Sequence, residues 1–144
     1  MSDTSTLTTM SPAWISATTE SGRFVDYRWD KKELVSITTL DRLIDGHGAP
    51  AFCKIDVEGF ELEVLQGLSQ PLNVLSFEFA REVLDDTGRC IQRLEEPRAK
   101  RFNYSPGASM KLGLSSWVNG GDLDERLRRL SDELAFGDVY ALFH

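Results

Sequence analysis

A chain of 144 residues with 41% apolar and 27% charged side chains has the size and composition of one globular domain, which argues against a disordered polypeptide. Its net charge of −7 argues against nucleic acid as a partner, since that affinity draws on clustered Lys and Arg. No apolar run approaches the roughly 20 residues that span a bilayer, and the Ser/Thr-rich start lacks the basic and apolar regions of a signal peptide, so a cytoplasmic protein without a membrane partner is expected.

Residues 1–22 contain eleven Ser or Thr and read as an arm. Its first ten residues are expected to be loose. A short helix over 12–21 then starts with Ser11 as N-cap and Pro12 at the first helical position. Trp14, Ile15 and Thr18 share one face of it, and Gly22 ends it. Residues 23–144 form the domain proper. Residues 34–38, Leu-Val-Ser-Ile-Thr, have the β-branched content of a strand. Thr38 and Asp41 stand at capping-box spacing ahead of Leu40, Leu43 and Ile44, which predicts a helical turn or two ended by Gly46 and Gly48.

Pro50 introduces a strand over 51–57 whose mostly apolar character suits cover on both faces. Alternation puts Phe52, Lys54 and Asp56 on one face and Cys53, Ile55 and Val57 on the other. A lysine in a buried strand needs a partner, and Asp56 and Glu78 are the candidates. Gly59 lets the backbone turn into a helix whose buried stripe is Phe60, Val64, Leu65 and Leu68. Glu58, Glu61 and Glu63 crowd its first turns, where the helix dipole favours each by about 0.3 to 1 kcal/mol. Those glutamates therefore have a structural reason as well as a chemical one.

Gly67 and Pro71 stop that helix, and residues 73–79 form another strand ending near Glu78. Residues 81–94 read as a helix through Leu84, Ile91 and Leu94. Residues 102–104 and 110–114 flank Pro106-Gly107, as in a hairpin or a strand with an irregular connection. Asp122 is expected to cap a helix carrying Leu123, Leu127, Leu130 and Leu134, and residues 138–143 give a last strand. Cys53 and Cys90 read as small core residues with free thiols. His47 and His144 have no Cys partner at zinc-site spacing, so no metal is expected.

Strands alternating with helices make the fold α/β. Ligands of open parallel sheets sit beyond the carboxyl ends of the strands, which singles out Asp56, Glu58 and Glu78. Thr39-Leu40-Asp41, the phrase from Phe52 through Lys54-Ile55-Asp56-Val57-Glu58-Gly59 to Leu68, Ser76-Phe77-Glu78-Phe79 and Gly137-Asp138-Val139-Tyr140 resemble the FkbM family of S-adenosylmethionine-dependent methyltransferases, from about Ser11 to the end. The resemblance implies a class I, Rossmann-like, mostly parallel sheet of strand order 3-2-1-4-5-7-6 with flanking helices. It implies S-adenosylmethionine as cofactor and a small hydroxylated acceptor such as a sugar. Asp56 or Glu78 would act as general base on the acceptor and Glu58 would orient it, with Arg81, Asn103 and Tyr104 as candidate pocket lining.

Family members carry a first strand ending in a Gly-rich turn around the cofactor and a second ending in an acid for the ribose. Neither is found here: Gly46 and Gly48 follow a helix, and Gly120-Gly121 precedes one with no strand before it. The expectation is the C-terminal half of a methyltransferase, strands 3 to 7 without 1 and 2, with no assignable cofactor-binding residue. The edge of strand 51–57 would then pair with a second copy or a complementing chain, or strand 34–38 would fold against it. A non-catalytic remnant serving as an assembly or binding module is the alternative, and a hydrolase using Asp56 and Glu78 as a carboxylate pair is a third.

Overall fold

Apolar residues alternate along the strands and recur every three or four positions along the helices, so each element has one face to bury. The computed structural model describes residues 9, 11–22 and 34–144. The loose arm expected over the first ten residues lies, apart from Thr9, outside the described residues. The elements are α1 (Pro12–Glu20), α2 (Leu40–His47), β1 (Cys53–Ile55), α3 (Glu61–Gln66), β2 (Val74–Ala80), a 3-10 turn (Arg81–Val83), α4 (Leu84–Glu95), β3 (Arg101–Pro106), α5 (Gly120–Arg128), a second 3-10 turn (Asp132–Leu134) and β4 (Phe136–Leu142).

The helix starts follow local capping chemistry. The Ser11 hydroxyl accepts from the Trp14 amide at 3.1 Å, with Pro12 behind it, as the sequence predicts. Two caps differ from expectation. Thr39, not Thr38, caps α2, accepting from the Arg42 amide at 3.3 Å. Asn119, not Asp122, caps α5: its side-chain oxygen accepts from the Asp122 amide at 2.8 Å, and Asp122 instead receives the Asn119 amide group at 3.0 Å. Leu134 falls outside α5, in the second 3-10 turn, and is 48% exposed.

The four strands lie in the order β1-β2-β4-β3. Only β1 and β2 pair in parallel, because β4 enters between β2 and β3 antiparallel to both. The sheet is therefore mixed, with β1, β2 and β3 running one way and β4 the other, which agrees in part with the expectation of a mostly parallel one. Residues 34–38 add no parallel partner on the far side of β1: Leu34, Val35 and Ile37 are 106%, 63% and 73% exposed and form no strand. Their β-branched content alone does not make one without a sheet neighbour to pack on. With β2 as its one strand neighbour among the described residues, β1 shrinks from the expected 51–57 to three residues. Residues 110–114 also form no strand. They pass beside β3 through the Gly113 amide, which donates to the Tyr104 carbonyl at 2.7 Å, and Val118 bridges to Phe102.

The register sorts the sheet into two faces. Ile55, Leu75, Phe77, Phe79, Phe102, Tyr104, Val139 and Ala141 share one face and merge with Leu65 and Leu68, with Cys90, Ile91 and Leu94 of α4, and with Leu123 and Leu127 of α5 into a single core. α4 lies between α3 and α5 on this face. The opposite face carries Lys54, Ser76, Tyr140 and Asn103 in one cross-strand row, and Glu78, Asp138 and Ser105 in the next. Among the described residues, no helix is long and apolar enough to cross a membrane.

Candidate active site

β1 and β2 run in the same direction, so their carboxyl ends lie side by side. Asp56 is the first residue beyond β1, and Glu78 stands near the end of β2. Glu58 follows two residues later, in the left-handed region at φ 52, ahead of Gly59 at φ 87. These three, singled out from the sequence, come together: one carboxylate oxygen from each lies within 4.8 Å of the others. An all-oxygen trio of this kind has the donors a hard divalent cation takes, although the sequence led to no metal expectation.

Lys54 supplies positive charge beside them. Its ammonium lies 3.4 Å from Asp56 and 3.3 Å from Asp138, and its side chain is 48% exposed rather than buried. Burial opposes its charge, but the hydrogen bond and charge of Asp138, followed by those of Asp56, prevail and hold its pKa above the ordinary lysine value. The sequence had offered Asp56 and Glu78 as its partners. Asp138 was missed because it comes from the other end of the chain, opposite Glu78 in the β2–β4 register.

The turn carrying Asp56 and Glu58 is held from two sides. Below it, Glu61 is 7% exposed, and its Oε1 accepts from the Val57 amide at 3.2 Å and the Gly59 amide at 3.3 Å. Above it, the Thr9 hydroxyl donates to the Glu58 carbonyl, and the Trp14 ring covers Gly59, where an added Cβ would stand 2.4 Å from the indole. Glu58 is thus outside α3 and does not decorate its first turn, and Glu61 is not a solvated helix-start acid. The sequence carried no signal that set Glu61 apart from its neighbours, because its partners, the Val57 and Gly59 amides, precede the helix.

Two adjoining clefts of about 140 Å³ and 450 Å³ run between α1 and the start of α4. Glu78 is the one member of the acidic trio that lines the smaller, with Glu61, Asp86 and Arg89. Arg81 lines the larger, and its guanidinium also donates to the Leu130 carbonyl. The other two expected lining residues are elsewhere. Asn103 is fully buried, bonding to both the amide and the carbonyl of Leu114, and Tyr104 is 8% exposed, set edge-on to Phe79 with ring centroids 6.1 Å apart. Both pack against the 107–118 connection, and neither lines the two clefts. Burial raises the pKa of both Cys53 and Cys90, so neither has the thiolate character of a nucleophile.

The model of the methyltransferase FkbM domain matches residues 3–100, well over half of the chain. The chain belongs to the FkbM methyltransferase family. The match contains the acidic turn, β1, β2 and α4, and it ends before β3, so the likeness expected at residues 137–140 lies beyond it. No curated protein and no solved structure matches the chain.

Proposed function

We propose that this chain is the acceptor-side part of an S-adenosylmethionine-dependent O-methyltransferase acting on a small hydroxylated molecule such as a sugar. The observation that carries it is the convergence of Asp56, Glu58 and Glu78 at the carboxyl ends of the parallel pair, inside the stretch matched by the family. The order β1-β2-β4-β3, with its third member antiparallel, supports the finer architecture, since it repeats the 4-5-7-6 end of a class I methyltransferase sheet.

Bound S-adenosylmethionine supplies an electrophilic methyl group, and what remains for a protein is to hold the acceptor oxygen in line and take its proton. Asp56 or Glu78 is the general base in this proposal, and Glu58 orients the acceptor hydroxyl. The cofactor itself does not fit the described residues alone. The turn amides of Val57 and Gly59 already donate to Glu61, Trp14 fills the space over Gly59, and no Gly-rich turn follows a strand. On this reading the cofactor wall is supplied by residues beyond these or by a complementing chain, meeting the edge of β1 that has no strand partner among the described residues. The free thiols of Cys53 and Cys90 suit a reducing cytoplasm.

Two measurements test this. Calorimetric titration of the 144-residue chain with S-adenosylmethionine is expected to give no binding tighter than about millimolar, and micromolar affinity would overturn the assignment of the cofactor wall to other residues. Joined to a glycine-rich N-terminal half from a family member, the chain is expected to release S-adenosylhomocysteine with a panel of sugars and polyols. Asp56→Asn or Glu78→Gln should lower that turnover about 100-fold. Turnover unchanged in both variants would remove these acids from the mechanism. The alternative, a non-catalytic assembly module that pairs with a second copy, is favoured by the exposure of Leu34, Val35, Ile37 and Phe52. A joined protein that binds the cofactor yet never turns over would support it.

A further inference from the structure

We propose that Glu61 is a positioning residue: by gathering two backbone N–H groups on one carboxylate oxygen it fixes the turn at 57–59, and with it the aim of Asp56 and Glu58. The functional side of this rests on the methyltransferase proposal, while the geometry stands independently of it.

The ladder between β1 and β2 stops at Ile55 paired with Phe77, so among the described residues no strand pairing restrains the turn that begins at Asp56. Two consecutive residues, Glu58 and Gly59, then take left-handed conformations. For the glutamate this is an unfavourable backbone state that persists only where surrounding contacts over-determine it. The amides of Val57 and Gly59 lie past the end of the β1–β2 ladder and ahead of α3, so they need an acceptor of their own. Glu61 is that acceptor, at a cost in desolvation. Burial raises its pKa, the backbone donors pull it back down, and the charge of Asp56 raises it further. A carboxylate that served only the helix dipole would remain solvated on the outside of the first turn. Here it is turned inward, onto amides that precede the helix.

If the role is to accept, glutamine retains it, because its amide oxygen has the same reach. Aspartate keeps the charge but is shorter by one methylene, and does not reach both amides. Hydrogen exchange followed by NMR on the full chain therefore separates the roles. At Val57 and Gly59, Glu61→Gln should exchange like wild type, and Glu61→Asp and Glu61→Ala about tenfold faster, with β2 and β4 unaffected. Should Glu61→Ala fail to fold, the comparison of Gln with Asp decides alone. Protection that survives in Asp and is lost in Gln would overturn the proposal, as would protection unchanged in every variant. Where the joined enzyme turns over, Glu61→Asp should lower kcat at constant acceptor KM and Glu61→Gln should not. A loosened turn with full kcat would sever the link to Asp56 and Glu58. If no form turns over, the methyltransferase assignment fails while the exchange pattern still judges Glu61.

Discussion

β4 and β1 belong to one sheet and are held in opposite ways. β4 has seven residues, is paired on both sides, and buries Val139 and Ala141 completely. β1 has three residues, pairs only with β2 among the described residues, and hands directly to the acids of the candidate site. A long ladder fixes β4 by many redundant bonds. The end of β1 is fixed instead by a few local contacts: Glu61 on the amides, Trp14 on Gly59 and Thr9 on the Glu58 carbonyl. The difference shows that the parts bearing the chemistry depend on particular side chains, while the parts bearing the fold depend on pairing and burial.

The most severe test lies in β4. Gly137 has φ 144, and a Cβ there would stand 2.0 Å from the Ser105 carbonyl oxygen of β3. Gly137→Ala should cost about 3 kcal/mol or more, since neither backbone can withdraw without opening the ladder. Chemical denaturation would measure it, and a loss below about 1 kcal/mol would show that β4 is less constrained than its pairing implies. Gly59→Ala comes next, at about 2 kcal/mol, because the added carbon meets a side chain that can shift, at a backbone angle alanine resists. Its distinguishing sign should be faster amide exchange at residues 57–60, with β4 protection scaling only with global stability.

Asp41→Ala should cost about 1 to 2 kcal/mol. The Asp41 carboxylate accepts the Ser69 amide at 2.9 Å and the Ser69 hydroxyl at 2.7 Å, tying α2 to the loop after α3. The Ser69 amide first, then its hydroxyl, lowers the pKa of Asp41, so this stabilisation is present above the unfolded aspartate value of about 4 and is lost as pH falls through the lower folded value. The gap between the variant and wild type should close over that acid range. The smallest effect has the opposite sign. Because burial raises the pKa of Glu61, its charge costs stability at neutral pH, and that cost disappears as pH falls below the unfolded glutamate value of about 4.3. Thermal melts should find Glu61→Gln slightly more stable than wild type at pH 7 and equal to it at pH 3. A variant less stable than wild type at pH 7 would mean that the ionised carboxylate is worth more than its desolvation.

Much of this was legible in the sequence where the cue was local. Ser11-Pro12 placed α1, Gly48 and Gly59 took the positive φ their positions required, and the acidic phrase put Asp56, Glu58 and Glu78 at strand ends that do converge. What was hidden depended on partners far away in the chain. Asp138 meets Lys54 only through the register of β4 against β2, and the strand expected at 34–38 had the right residues but no sheet neighbour among the described residues. Glu61 was misread for a subtler reason. Three glutamates in six residues look alike as a pattern, and only the direction of the chain through Glu58 and Gly59 decides which one turns inward.

The exposure of Leu34, Val35 and Ile37 bears on how the molecule behaves in a tube. Mutual repulsion from a net charge of −7 keeps copies apart at low ionic strength, whereas the pull between exposed apolar side chains is indifferent to it. Near 0.15 M salt the repulsion reaches only about 8 Å, so sodium chloride should promote clustering of this polypeptide instead of dispersing it, and light scattering would register the onset.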